Sequence, residues 1–418
     1  LLAVFVIAGV GGCSENLDTG GACPALCPAQ NVLIRDTIIN PVLLFDSTFV
    51  GFPERGQEQA MLLSTRGDTL ETRGVVRFDS LVNTFTPSGG TAQSITRVDS
   101  SRVRLVLDRT RATLPAQVRF EVYDVDDTTA ADTSATSVLT LFRANRLIGQ
   151  RTFLRDSLSD TLYVPLADSA VLDKITNNRH LRLGLRLDGS GPVSLRLQTI
   201  ESGNSALVSY RPSPDTAIRA IVVSPLSLTP TGTSFPEIRS DLQDYTLIAK
   251  YAVPQTANTM SVGGMPGRRV YLRFNVPRYI TDSTTVIKAS LRLTQRPLGF
   301  GSATDSITIH AHVVLASPLV TDLRRATNVI SGPGLQVLDS LVVSPRDSGV
   351  RSFEMYGLLR AWGSQTSLVN APPHAIVLRA QPESESPFEI RFFSTTAVAS
   401  VRPAMVISYI PKTQFGIP

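Results

Sequence analysis

A chain of 418 residues is too long for one compact core, and two domains of roughly 150–200 residues are expected. Each would bury roughly 70% of its unfolded surface, so neither depends on disulfides or metals to fold. The formal net charge of +5 does not point to nucleic acid, because only Lys174, Lys250, Lys288 and Lys412 are lysines and the arginines sit singly between apolar residues, whereas a nucleic-acid footprint clusters on one face. An arginine alternating with Leu or Val reads as the solvated face of a half-buried strand, its stem shielding apolar surface.

In chain order, Leu1 to Gly12 (LLAVFVIAGVGG) is an uncharged apolar run ending in small residues. It falls short of the ~20 residues of a spanning helix but has the length of a signal-peptide core. The usual positive start and Met are missing, so the sequence is read as lacking its first few residues. Val10-Gly11-Gly12-Cys13 then resembles the bacterial lipoprotein processing box, in which the cysteine is lipidated and becomes the mature N-terminus. The bland alternative is ordinary secretory cleavage, with Cys13 left as a thiol. With Cys13 lipidated, Cys23 and Cys27 remain as a pair in Cys-Pro-Ala-Leu-Cys-Pro. A disulfide across so short a loop is feasible and adds little stability; free thiols are the alternative. A zinc site would need two further ligands, and no other His or Cys lies nearby. Residues 14–30, rich in Gly, Ala and Pro, read as a tether.

From Val32 the pattern is β throughout: segments of four to eight alternating residues, punctuated by Gly, Pro, Asn or Asp-Ser. Val118–Val122, Leu181–Leu187, Val193–Leu197 and Ala206–Tyr210 are the clearest strands of the first half. Tyr271–Phe274, Leu291–Leu293, Ile307–Val314, Ala375–Leu378, Phe388–Phe392 and Met405–Tyr409 are those of the second. Helical period is confined to Asp168–Ile175 and Glu354–Trp362. Short strands with frequent turns predict an all-β fold of two tandem antiparallel β-sandwiches, each with one short helix, for which the resemblance given below implies a jelly-roll-like form.

Spacing argues that the halves are duplicates. Arg77 and Arg273 are 196 residues apart; Tyr210 and Tyr409, each closing a strand, are 199 apart. Between them Val103-Arg104-Leu105 matches Leu291-Arg292-Leu293, and Phe120-Glu121-Val122 matches Ile309-His310-Ala311. The boundaries are a signal peptide at 1–12, a tether at 13–30, a first sandwich at 31–213, a Pro-rich linker at 214–243 and a second sandwich at 244–418. Part of the linker, Ala217–Val223, also reads as an opening strand of the second domain.

Arg269-Val270-Tyr271-Leu272-Arg273-Phe274-Asn275, followed by Ile287-Lys288-Ala289-Ser290-Leu291-Arg292-Leu293, resembles the opening of DNRLRE-type domains, which are grouped with carbohydrate-binding module family 96. Phe353 to Trp362 looks like that family's short helix ending in Trp, and Phe388–Phe393 with Arg402–Tyr409 like its closing strands. The likeness spans most of Asp244–Pro411 and is fainter over Asp46–Pro212, where Trp is absent. It implies a jelly-roll-like sandwich on secreted or surface proteins, often in tandem, binding polysaccharide in some members. Its motifs are structural, so no binding residue carries over.

Catalytic signatures are missing from the sequence: no His-Glu-x-x-His, no Gly-x-Ser-x-Gly, no phosphate loop and no dinucleotide fingerprint. His310 and His312, two apart on a strand, share a face and are expected in water, with Ile309, Ala311 and Val313 in the core. Asp124, Asp126 and Asp127 place three carboxylates in one loop, a weak Ca²⁺ candidate that reads first as a solvated acidic loop. Trp362, the only tryptophan, ends an amphipathic helix and is expected as a core anchor rather than a sugar platform. The resulting expectation is a non-enzymatic protein without cofactor, held at a bacterial outer membrane or cell surface by its lipid. Its partners are the membrane and polysaccharide, with no nucleic acid. The alternatives are a purely structural spacer and a carbohydrate-active enzyme. Binding calls for an exposed row of rings beside polar groups. A spacer calls for charged, Ser/Thr-rich faces without concavity, and an enzyme for a cleft with convergent carboxylates.

Overall fold

A computed structural model of the chain describes residues 34–40, 47–52, 55–87, 89–126, 135–215, 217–228, 242–252, 256–299, 305–314, 337–363 and 374–412. Two strands lead, β1 (Arg35–Ile39) and β2 (Ser47–Phe52). A first body follows: β3 (Ala60–Arg66), β4 (Leu70–Phe78), the short pair β5 (Thr84–Phe85) and β6 (Gln93–Ser94), β7 (Ser100–Thr113), β8 (Gln117–Asp124) and α1 (Ala135–Leu139). It continues with β9 (Leu147–Leu154), β10 (Thr161–Pro165), α2 (Asp168–Thr176), β11 (Leu181–Gly189), β12 (Val193–Gln198) and β13 (Leu207–Arg211). A second lead, β14 (Ile221–Val223) and β15 (Asp244–Tyr251), precedes the second body: β16 (Thr259–Gly263), β17 (Gly267–Arg273), α3 (Arg278–Asp282), β18 (Thr284–Arg296) and β19 (Ile307–Val313). The last elements are β20 (Val337–Val343), β21 (Gly349–Glu354), α4 (Tyr356–Gly363), β22 (Ala375–Gln381), β23 (Glu389–Phe393) and β24 (Ala404–Pro411).

One sheet runs β14-β13-β7-β12-β3-β4-β11-β8-β9, with β10 on β7 and β15 on β4. The other runs β1-β24-β18-β23-β16-β17-β22-β19-β20, with β21 on β18 and β2 on β17. The two orders match strand for strand, and register extends the match to residues. Gly74 faces Leu185 as Val270 faces Leu378, and Val122 faces Leu185 as Ala311 faces Leu378. The Leu166 N–H donates to Ser101 O as the Met355 N–H donates to Ala289 O. These pairings equate Arg77 with Arg273, Val103–Leu105 with Leu291–Leu293, and Phe120–Val122 with Ile309–Ala311, as spacing suggests. The tyrosines differ by one pleat: Tyr210 faces Ser101, but Ala289, the counterpart of Ser101, faces Ile407 and not Tyr409.

Each path curls into a sandwich because one strand changes partner along its length. β4 pairs with β3 up to Thr72 and with β11 from Gly74. Alternate side chains then enclose one core: Met61, Leu63, Leu195 and Leu197 share it with Val76, Phe78, Phe120 and Leu183. Leu291, Leu293, Phe353, Ile376 and Ile407 form its counterpart. The helices supply lids, α2 burying Val171 and Ile175 and α4 burying Leu358, Leu359 and Trp362. Each half also carries a one-turn helix, α1 and α3. Among the described residues no helix is long and apolar enough to cross a membrane.

Sheet membership departs from chain order. β1 and β2 precede the first body yet pair with β24 and β17 of the second. β14 and β15 precede the second body yet pair with β13 and β4 of the first. Ala217–Val223 therefore contributes its strand to the first sandwich. The exchanged strands fill cores as well as edges: Ile39 is buried in the second core, and Tyr245 and Leu247 pack with Val75 and Tyr123 of the first half.

The arginines also differ from expectation. Arg77, Arg182, Arg196, Arg268 and Arg269 are buried, because the outer faces of these strands are covered in turn. Val138, Leu141, Tyr245 and Leu247 cover β4 and β8. Each buried guanidinium meets a carboxylate; Arg182 makes two bonds to Asp79, at 2.9 and 3.1 Å.

Candidate functional site

An open groove of about 570 Å³ crosses the outer face of the second sandwich, over β1, β24, β18 and β21. Period-two alternation builds it. On β18, Ala289, Leu291 and Leu293 enter the core while Lys288, Ser290 and Arg292 line the groove. β24 turns Val406 and Ser408 outward, β21 turns Val350 and Ser352, and β1 turns Asp36 and Ile38. The Ser408 hydroxyl donates to Asp36 at 2.6 Å, while Lys288 and Arg292 have no ion pair among the described residues. Ile38 is 59% exposed and Val350 53%. This lining offers hydroxyls, two cations and aliphatic contact. It holds one carboxylate, so no acid–base pair converges there.

The first sandwich presents the same strands with other side chains. Arg102, Arg104, Tyr163, Ser209, Arg211 and Val222 stand where Ser290, Arg292, Ser352, Val406, Ser408 and Ile38 stand in the second. The Arg102 guanidinium lies 4.4 Å from the centre of the Tyr163 ring, and its Nε donates to Ser209 Oγ at 3.4 Å.

A buried charge network joins the halves. Leu62 and Leu70 pack with Met265, and ion pairs surround them. Arg196 donates to Glu385 at 2.5 Å and to Asp108. Arg268 lies 3.2 Å from Glu389 and donates to the Tyr251 hydroxyl. Arg269 makes two 2.6 Å bonds to Glu383. Glu383 and Glu385 belong to Pro-Glu-Ser-Glu-Ser-Pro, residues 382–387, a short acidic segment bounded by prolines that matches no catalytic motif. Burial pushes Glu385 up to about 6, against the pull of Arg196.

A second set of carboxyls sits where the leads cross. Glu58 accepts the N–H groups of Gly56, Gln57 and Thr246 at 2.7, 3.0 and 3.3 Å, yet burial raises it to about 7. Asp244 accepts the Ile200 N–H at 3.0 Å and its Oδ1 has no hydrogen-bond partner. Burial first, then the charge of Glu201, lifts it to about 7. Perturbed carboxyls mark catalytic sites when they line a cleft. Glu385 is instead buried between the halves, on Arg196, and Glu58 and Asp244 are buried where β15 joins the first sandwich.

Cys13, Cys23, Cys27 and Asp127 lie outside the described residues. Asp124 and Asp126 both meet the Lys174 ammonium at 3.0 Å, and Arg146 donates to their backbone carbonyls. Ca²⁺ here would have to displace that ammonium. His312 corrects expectation: it is 2% exposed, not in water. The outer face of its sheet is buried, as Tyr271 and Val377 show. His312 Nε2 accepts from Arg379 Nε at 2.9 Å, and burial, then Arg379, lowers its pKa to about 4. His310 is only partly exposed. Trp362 is buried, its ring 4.6 Å from and stacked on His374.

No family model matches the chain, and no curated protein matches it. Among solved structures, the chain is similar to recombinant PNGase F at 10% identity, covering 85% of this chain and 97% of that one, with a TM-score of 0.17. Similarity to the T=3 Penaeus vannamei nodavirus is 10% identity over 98% and 100%, TM-score 0.16. For the T13 IBDV viral particle the values are 8% over 87% and 75%, TM-score 0.15. At such scores the likeness assigns no function.

Proposed function

We propose that the chain is a non-enzymatic envelope protein, lipid-anchored through Cys13 at a bacterial outer membrane or cell surface, whose tandem sandwiches bind polysaccharide as a surface adhesion module. The observation that carries this reading is the open groove over β1, β24, β18 and β21. A sugar polymer offers hydroxyls and apolar ring faces along its length, and the groove pairs Ser290, Ser352, Ser408, Lys288 and Arg292 with Ile38, Val350 and Val406. Its openness lets a chain pass through rather than end inside. The resemblance to DNRLRE-type domains points the same way.

A purely structural spacer is the second reading, and the lack of any aromatic ring in the groove lining favours it. A polysaccharide pull-down with the soluble form starting near Gln30 decides between them. Retention on at least one glycan is expected. No retention on any glycan would leave the spacer.

A further inference from the structure

The crossing of the leads points to a partner. β1–β2 and β14–β15 occupy the same two places in the two sandwiches. Ile39 faces Met405 where Val223 faces the equivalent Val208, and Thr48 faces Val270 where Thr246 faces the equivalent Gly74. Their links to the following body are equal: Phe52 to Ala60 leaves seven residues, 53–59, and Tyr251 to Thr259 leaves seven, 252–258. Each lead completes the body it does not precede. Two equivalent units that each lend the same element to the other form a strand-exchanged pair, here within one chain.

We propose that β1–β2 is an exchangeable donor whose partner is a second copy of this chain. In the paired state the β1–β2 of each copy lies on β24 and β17 of the other. The acceptor edges are already shaped to this segment, with the same register and the same burial of Ile39 whether the donor comes from its own chain or a neighbour. Exchange therefore keeps the pairings of β1 with β24 and of β2 with β17, and the effective concentration of the tethered lead, about millimolar for a short tether, sets the balance. Copies anchored side by side on a surface, as in the reading above on which this point rests, compete at that level. β1 supplies Asp36 and Ile38 to the groove, so each groove of an exchanged pair is built from two chains. The pair then presents two linked grooves to one repeating polymer.

Ile38 and Val406 face each other across β1 and β24 and both point into the groove, so cysteines there leave the core intact. The test uses the full chain with Cys13, Cys23 and Cys27 replaced by serine. Chains carrying Ile38→Cys are mixed with differently mass-tagged chains carrying Val406→Cys and oxidised over a concentration series. A cross-linked heterodimer whose yield climbs with concentration is expected. The variant with both cysteines should close within itself, and once closed should no longer dimerise. Mixtures that stay monomeric at every concentration, while the double variant closes, overturn the proposal. A double variant that cannot close also overturns it, because β1 is then not seated on β24. Polysaccharide retention is read separately, on the cysteine-free chain with Ile38 and Val406 intact. Retention without exchange sinks this proposal alone, and exchange without retention sinks only the binding reading.

Discussion

Replacing Asp244 with asparagine should stabilise the protein more at pH 8 than at pH 5. Asp244 is 1% exposed, with one oxygen on the Ile200 N–H and the other without a partner. Burial and then Glu201 raise its pKa from 3.8 to about 7. A carboxyl raised in the folded state keeps its proton where the unfolded chain has released it. Between about pH 4 and pH 7 the native state thus binds more protons, and stability falls as pH rises, levelling off above 7. Three pH units correspond to ~4 kcal/mol, an upper bound because Glu201 can share the proton. Asparagine copies the protonated acid, its carbonyl accepting from Ile200 and its amide available to Glu201. Urea unfolding at pH 5 and 8 should show the wild type losing about 1–3 kcal/mol more than the variant between the two, because about two of those units lie in that interval. Glu58, also raised to about 7, adds a slope of its own in both proteins and is itself coupled to Asp244, so the difference between the proteins reads the pair. Equal slopes would refute the reasoning.

Arg196→Met leaves Glu385 buried without its partner and should cost about 3–5 kcal/mol, with Glu385→Met added to it recovering most of the loss; a cost under about 1 kcal/mol in denaturant unfolding would show that the pair does not hold the junction. The His312 ring, lowered to about 4, should titrate near that value by NMR, and the stability it confers as a neutral base should be lost as pH falls from about 6.5 through 4; a midpoint near 6.5 contradicts its burial. Trp362→Ala removes a buried ring from the second core and should cost about 3–5 kcal/mol, whereas a surface ring would cost almost nothing in the same thermal or chemical unfolding. Lys288→Ala with Arg292→Ala should weaken glycan retention about tenfold or more, the loss of two charged donors, and unchanged retention would move binding off this groove.

Much of the architecture is legible without coordinates. Val118–Val122 lies within β8 and Leu181–Leu187 within β11, because a strand with one face in the core must alternate. Asp168–Ile175 and Glu354–Trp362 become α2 and α4 for the matching reason, a stripe of period 3.6. The groove residues Ser290 and Arg292 fall on the wet side of a strand that sequence places. What misleads is the assumption that the other face of a strand is always wet. His312 and Arg269 alternate with core residues as solvated side chains do, yet both are buried. Lys174 is read by no motif, and it reaches Asp124 and Asp126 from α2 only after the chain folds back by some fifty residues.

From its letters alone the chain determines that it is β, that it is doubled, and which residues of each strand turn inward, since alternation and spacing are local or repeat along the chain. Which body each lead completes, and so how β1 comes to wall the groove, belongs to the tertiary structure. A strand's own pattern says how it faces a core but not whose edge it meets. That choice is made by complementary edges far apart in sequence, reached through seven-residue links that lead across rather than back.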